Sequence, residues 1–506
     1  MYMIGSLWLS RRDGTQFSAA QPAVYILPLP AAPGPRAERS SSTATPFPRG
    51  ASSPSSIAVV ARVSSRLQLL LVDNMIPERL LLLAVLVAAA VAAGSRTRDA
   101  PDTMEEVLGP VLVPRRMLPA SVAEFRAQRK SYWRLLNLVR PPPLQVWRIL
   151  RARNRLQPQF GPSVPFPCPL DGQRSTPRPT SVHRLRPGDV DVVGAIGDSM
   201  TAGSGALALG PLDISLEDRG VAFATGGWGS WRSSLTLANI LKAYNPRLRG
   251  WASATSLSVD KASRFNVAEP MAATRDVVHQ AKILAARMSQ EVNMKEDWKL
   301  VTVLIGANEM CSVCFEEPAA FLRREREALV RGLDTLMALL PRTMVVVVIA
   351  PGEDVGFKDE LGRLPAWCEV MNRFECPCVF GDRFQDAVPR HRKVYKELQR
   401  MQREVVAMDR YRIREDFAVV SAPFMSGPGQ LLPFKLSNGN GTDWTFFSTD
   451  CFHFSQKGSA IAGAGLWNNL LEPEDGKTEW APLGALLRGL RCPSAERPYL
   501  CTWRNC

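Results

Sequence analysis

An α/β fold with a mostly parallel sheet covered on both faces is what this sequence predicts for its second half, and three observations carry the reading. Short apolar runs without alternation recur, as expected of strands buried on both faces. Between them lie longer stretches with apolar residues at three- and four-residue spacing, the pattern of helices that cover a sheet. Small and polar residues able to do chemistry fall directly after the runs, where open α/β sheets gather reactive groups.

The elements follow in order. "VDVVGAIG", from Val190, is the first strand, and "RSSLTLANILKAY" is a helix ended by Asn245-Pro246. "TRDVVHQAKILAARM" is a second helix, and "LVTVLI", Leu300–Ile305, a second strand. "EEPAAFLRREREALVRGLDTLMALL" gives a long helix and Met344–Ile349 a third strand. "PRHRKVYKELQRMQREVVAMDRY" and Phe417–Val420 repeat the alternation, and "KGSAIAGAGLWNNLL" closes it with a helix. No internal repeat is visible. The compact domain is expected at 182–473, followed by a Cys-bearing tail at 474–506.

Ahead of this domain the texture differs. Residues 75–94, "MIPERLLLLAVLVAAAVAAG", have the order and length of a secretory signal peptide, with cleavage expected near Ala93 or Gly94. An uncleaved signal anchor is the alternative. Residues 1–74 are low in complexity, so Met75 is read as the initiator and the preceding stretch as an over-long gene model. Residues 95–181 read as a basic arm and a Pro-rich linker. The formal charge is +14, and between Arg115 and Arg155 eleven basic residues face one acid, Glu124. Tyr132, Trp133 and Trp147 are interleaved with them. Such a mixture suits an anionic membrane surface or nucleic acid, but its composition first suggests a solvated, partly disordered arm. No nucleic-acid recognition module accompanies it.

Ten cysteines behind a signal peptide point to structural disulfides and an exported protein. Cys311 and Cys314 have the spacing of a redox pair or half a zinc site, yet no second pair at zinc spacing accompanies them, so structural disulfides are the better reading and the cysteines give no ground to expect a metal or cofactor. Asn440-Gly441-Thr442 is the single glycosylation sequon.

Three groups follow the strands or the last loop. Gly197-Asp198-Ser199 follows the first strand and Gly306-Ala307-Asn308-Glu309 the second. Asp450-Cys451-Phe452-His453 precedes the last helix. Only four histidines exist: His183, His279, His391 and His453. Of these, His453 alone has a carboxylate three residues before it in a Gly- and aromatic-rich loop. A helical turn there would put Asp450 and His453 on one side, with Asp450 accepting from one ring nitrogen while the other faces the Ser199 hydroxyl.

Gly197-Asp198-Ser199, Gly306-x-Asn308 and Asp450-x-x-His453, in that order, resemble the GDSL (SGNH) esterase/lipase family. "TSVHRLRPGDVDVVGAIGDSMTAGSGA", "EDWKLVTVLIGANEMC" and "DCFHFSQKGSAIAGAGLWNNLLEP" resemble its animal phospholipase B branch. The resemblance covers roughly residues 165–500. It implies a flavodoxin-like three-layer α/β/α fold with a mostly parallel sheet. It further implies metal-free ester hydrolysis through an acyl-serine, with Ser199 as nucleophile, His453 as base and Asp450 orienting the ring. Asn308 and the Ser199 N–H would bind the oxyanion. The expected substrates are phospholipids, lysophospholipids or other acyl esters at a lipid interface, with no nucleic-acid partner, in a secreted protein.

Two departures from the family pattern stand out. In "NVAEPMAA", Asn266 to Ala273, Met271 takes the place of the glycine at the second oxyanion donor. A methionine there would be strained if positive φ is required. Glu309 replaces an aspartate sometimes treated as essential in the branch, which makes it the alternative acid. Either change leaves open a catalytically weakened or inactive lipid-binding relative.

Overall fold

The computed structural model describes residues 130–351, 366–427, 443–479 and 486–506. The signal segment, residues 1–74, the start of the basic arm and the sequon at Asn440 lie outside the described residues.

After a helical segment at 130–139, α1 (Pro143–Ala152) leads to β1 (Val190–Gly197) and the one-turn α2 (Ser199–Ala202). Next come α3 (Leu237–Tyr244), α4 (Val277–Glu291), β2 (Trp298–Leu304) and α5 (Ala307–Ser312). α6 (Pro318–Leu339), β3 (Thr343–Val348), α7 (Ala366–Glu375) and α8 (Pro377–Phe380) follow. α9 (Val388–Val406), β4 (Phe417–Ala422) and α10 (Gln456–Asn469) complete the order.

The strands pair in the order β1-β2-β3-β4, each pair parallel, and every strand residue is buried. Because side chains alternate across a strand, the runs feed two cores. Val193, Leu300, Val346 and Val420 pack with α3 and α10 on one face. Val192, Val301, Val347 and Val419 pack with α4, α6 and α9 on the other. This is the expected three-layer arrangement.

The free edge of β1 is covered by two separate pieces of chain. Val192 bridges Arg249 and Ala195 bridges Asn266, both in parallel. Counting these pieces as one interrupted strand gives the flavodoxin order 2-1-3-4-5. The carboxyl ends of β1 and β2 then flank the point where successive connections run in opposite directions.

Residues 130–181 depart from the expectation of a solvated arm and linker. Val146 and Leu150 of α1 are buried against Ala206, Leu207 and Val221. Arg140 donates to the Leu207 carbonyl at 2.7 Å and pairs with the buried Asp218 at 3.3 Å, and Trp147 meets Trp228 edge-on at 5.0 Å. In the linker, Phe166 packs on Trp231 and Tyr244, and Cys168 is disulfide-bonded to Cys492 of the tail. The arm's aromatic and basic residues are thus partly used inside the fold, which composition could not show.

All ten cysteines are paired. Cys311 and Cys314 bond to Cys376 and Cys378 rather than to each other, so they form structural disulfides that tie α5 and the turn after it to Cys376 and to α8. Cys368–Cys451 and Cys501–Cys506 complete the set. The first expected helix starts only at Leu237, where the Thr236 hydroxyl accepts from the Asn239 N–H and caps it. α7 and α8 had no periodic signal long enough to announce them.

Leu150→Ala is expected to lower the unfolding free energy by about 2–5 kcal/mol, since it empties a closed contact. Denaturant unfolding of the pure protein measures this, and an unchanged midpoint would mean that α1 contributes nothing to the fold.

Candidate active site

Ser199 leaves β1 through a turn that only glycine permits. Gly197 has φ of 157°, and a Cβ there would lie 2.4 Å from the Leu304 carbonyl oxygen and 2.4 Å from Thr201 Oγ1. At the end of β2, Gly306 has φ of 128°, and its Cβ would meet that of Ala350 at 2.7 Å. Both strand ends therefore pass close to neighbours, and two buried glutamines satisfy the backbone there. Gln280 of α4 accepts from the Gly197 N–H at 2.8 Å and donates to its carbonyl at 2.9 Å. Gln402 of α9 donates to Ile305 O at 2.9 Å and accepts from Ala350 N–H at 2.9 Å. Each sits among apolar neighbours on the inward face of its helix, a polar residue in an apolar stripe. A glutamine within an apolar helix stripe is the sequence signal for such a backbone clamp.

The loop before α10 carries the other two groups. His453 Nε2 lies 2.8 Å from Ser199 Oγ, and Nδ1 lies 2.5 Å from Asp450 Oδ2. Asp450 Oδ1 accepts from the N–H groups of Phe452 (3.0 Å) and His453 (3.1 Å). Residues 450–453 are not helical: they form a turn around the Asp450 side chain, with Cys451 at φ of 58°. The expected juxtaposition holds, but its cause differs. An aspartate bonding the backbone two and three residues ahead bends the chain more tightly than a helix would. Ser448 fixes the loop by donating to the Gly205 carbonyl at 2.6 Å, and Cys368–Cys451 ties it to α7.

Asp450 is fully buried, and its carboxyl is nonetheless held below the usual range. Burial opposes this, and the charge and hydrogen bond of His453 together with the loop N–H groups overcome it. Burial likewise disfavours a charged His453 ring, yet Asp450, with Glu375 and Asp198 behind it, raises the imidazole to about 9. Asp198 caps α2 by accepting from Met200 N–H, and burial pushes its carboxyl up to about 6.

Asn308, the second residue of α5, donates its amide to the Ala272 carbonyl at 2.9 Å. That contact brings it beside the loop running along β1, where Val267 N–H bonds Ala195 O and Glu269 N–H bonds Gly197 O, each at 3.0 Å. Asn266 anchors this loop by donating to Thr201 O at 2.9 Å and accepting from the buried Arg219 at 2.8 Å. Met271, in the same loop, has φ of 64° and is 80% exposed. The position is left-handed, as a glycine site would be, and the methionine side chain projects into solvent.

Glu309 does not reach the imidazole. Its Oε1 accepts from the N–H and hydroxyl of Thr274, at 2.6 and 2.7 Å, and burial together with the charge of Glu325 raises its carboxyl to about 8. It joins α5 to the turn that leads into α4, whereas Asp450 is the acid in contact with His453.

One polar atom each from Glu375, Asp450 and His453 lie within 4.8 Å of one another, the one cluster of metal-site spacing among the described residues. Both ring nitrogens are already engaged, so a cation there would have to pull the imidazole from Asp450 or Ser199. The geometry is that of a hydrogen-bonded chain from carboxylate to ring to hydroxyl. A neutral ring in it can accept the hydroxyl proton while its other N–H stays on the carboxylate.

Residues 193–466 match the family model described as GDSL-like Lipase/Acylhydrolase. Membrane-associated phospholipase B1 of Homo sapiens is 39% identical over 330 residues, which are 65% of this chain and 22% of that protein. The Rattus norvegicus protein of the same name is 37% identical over 330 residues, with the same two shares, 65% and 22%. The chain thus spans about a fifth of the length of the curated relatives it matches. An extracellular lipase of Streptomyces rimosus is 18% identical over 53% of this chain and 94% of its own, with a TM-score of 0.25, a likeness that bears on neither fold nor function.

The raised affinity of His453 for its proton has a definite sign. Stabilisation from the charged Asp450–His453 pair is complete below the ordinary histidine value and is lost as pH rises through about 9. In Asp450→Asn the ring loses that partner, and its proton NMR titration moves to lower pH. An unmoved midpoint would contradict this electrostatic account.

Proposed function

Because the chain belongs to the GDSL-like lipase/acylhydrolase family, we propose that it is a serine ester hydrolase releasing fatty acid from phospholipids and lysophospholipids. The observation that carries the reading is the unbroken chain from Asp450 through His453 to Ser199. Ser199 Oγ attacks the ester carbonyl as its proton passes to His453 Nε2, and Asp450 stabilises the imidazolium. The oxyanion would lie against the first-turn N–H of Ser199 and the amide of Asn308, donors placed where charge develops. Collapse expels the alcohol, which takes the proton from His453. Water then attacks the acyl-serine with His453 as base, releasing the fatty acid and restoring Ser199.

An apolar rim supports action at a lipid interface. α7 exposes Trp367 (46%), Val370 (47%) and Phe374 (57%) along one side, and its disulfide to Cys451 holds it against the loop of Asp450 and His453. Exposed apolar side chains gathered beside a site mark an interaction surface. No helix among the described residues is long and apolar enough to cross a membrane. The disulfides support an extracellular or lumenal setting, and secretion remains part of the proposal. A second reading, a lipid-binding relative with weakened catalysis, is favoured by one observation: Met271 stands in strained backbone in the loop that Asn308 contacts.

Serine labelling with acid release separates these readings, and a second measurement tests the apolar rim. Ser199→Ala should lower fatty-acid release from a lysophospholipid by at least about 10³-fold and abolish fluorophosphonate labelling. Equal labelling of both proteins contradicts the mechanism, and vesicle binding with only background acid release by the unaltered protein favours the second reading. Trp367→Ser with Phe374→Ser should lower the ratio of activity on phospholipid vesicles to activity on a soluble short-chain ester by about fivefold or more. A constant ratio removes α7 from the lipid-facing surface.

A further inference from the structure

Glu375 ends α7 beside the hydrogen-bonded pair, and nothing in the mechanism above uses it. Its carboxyl, a carboxyl oxygen of Asp450 and a ring nitrogen of His453 fall within 4.8 Å of one another. Its Oε2 is sealed from water without a hydrogen-bond partner. The helix cannot easily carry it away. Cys368 near the start of α7 is bonded to Cys451, adjacent to Asp450, and Cys376, directly after Glu375, is bonded to Cys311 in α5.

Two carboxyls beside one imidazole cannot both ionise freely, because a single cation cannot offset both charges in a buried setting. The hydrogen bonds decide which gives way. Asp450 accepts from two backbone N–H groups and the ring, so it carries the charge. Burial and the charge of Asp450 push Glu375 up to about 8, with His453 opposing.

The other charges near this group are few. Asp198 faces His453 from the end of β1, and the Arg155 guanidinium faces Asp450 from the chain after α1. On α7 itself Arg373 pairs with Glu369 and with Asp382, and on α5 Glu309 is bonded to Thr274. α8 has no ionisable side chain besides its disulfide-bonded Cys378.

We propose that Glu375 is a positioning residue that sets the charge of the Asp450–His453 pair, leaving the imidazole one counter-charge when neutral and adding a second when ionised. An ionised Glu375 holds the proton on His453 to higher pH and so delays the appearance of the free base. This rests on the catalytic reading of Ser199 and His453 for its effect on rate, but the coupling itself is independent of it.

Glu375→Gln keeps the size and polarity of the side chain and removes the ionisation. Two readouts apply to the pure protein and the variant: the proton NMR titration of His453, and the pH dependence of kcat/KM on a soluble short-chain ester. Both midpoints should fall together, by about half a pH unit or more. Midpoints that stay in place overturn the proposal, even if the variant is less active, because a merely structural role would change rate without moving them. If the glutamine variant fails to fold, Glu375→Asp gives the same reading: drawing the charge back should lower the midpoints part of the way, and an unmoved midpoint overturns the idea. Failure of the catalytic reading looks different. Ser199→Ala would then retain hydrolysis, while the NMR midpoint would still shift in the Glu375 variant.

Discussion

A hydrogen bond of 2.8 Å joins residues 254 positions apart in the chain, Ser199 and His453, and most of the architecture serves to hold its two ends in place. A contact of that length is useful only if neither side chain has other places to go. Ser199 is held by a strand end whose backbone is clamped by Gln280 and whose helix is bonded through Asn266 to Arg219. His453 is held by a loop bent around Asp450, bonded to Gly205 through Ser448 and cross-linked through Cys451. The two supports meet: Gly205 lies just beyond α2, so the loop is fastened to the segment that carries the serine.

The carboxyl end of the sheet concentrates buried acids, and the charges and hydrogen bonds facing each one sort them. Asp450 has three donors and stays ionised despite complete burial. Asp198 accepts from Met200 N–H and is raised to about 6. Glu309 has two donors but also the charge of Glu325, and it is raised to about 8. Asp450 therefore keeps its charge chiefly through the adjoining His453, with the loop N–H groups adding to it, a partnership that Glu309 lacks.

Among the described residues, segments outside the sheet are packed onto the sheet domain. The segment around α1, the Pro-rich stretch and the tail each contribute buried side chains, and Cys168–Cys492 joins the last two across 324 positions. Some of the basic excess is consumed in this way, as with Arg140 on Asp218 and Arg174 on Asp191. A strongly positive composition is thus compatible with arginines that serve as internal donors to carboxylates and carbonyls.

What the sequence determined by itself was local. Unbroken apolar runs identified the four strands, because burial on both faces leaves no room for alternation. The scarcity of histidine isolated His453, and Gly197-Asp198-Ser199 directly after an apolar run marked the end of a buried strand. Only the tertiary structure decided the rest. Cysteine pairing depends on which elements become neighbours, so Cys311 and Cys314 could not be matched to Cys376 and Cys378 from spacing. A three-residue separation fits both a helical turn and the turn at Asp450, and only the backbone N–H directions distinguish them. Glu309 turns to Thr274 while Glu375 approaches His453, because packing assigns partners to side chains that are far apart in sequence and chemically alike.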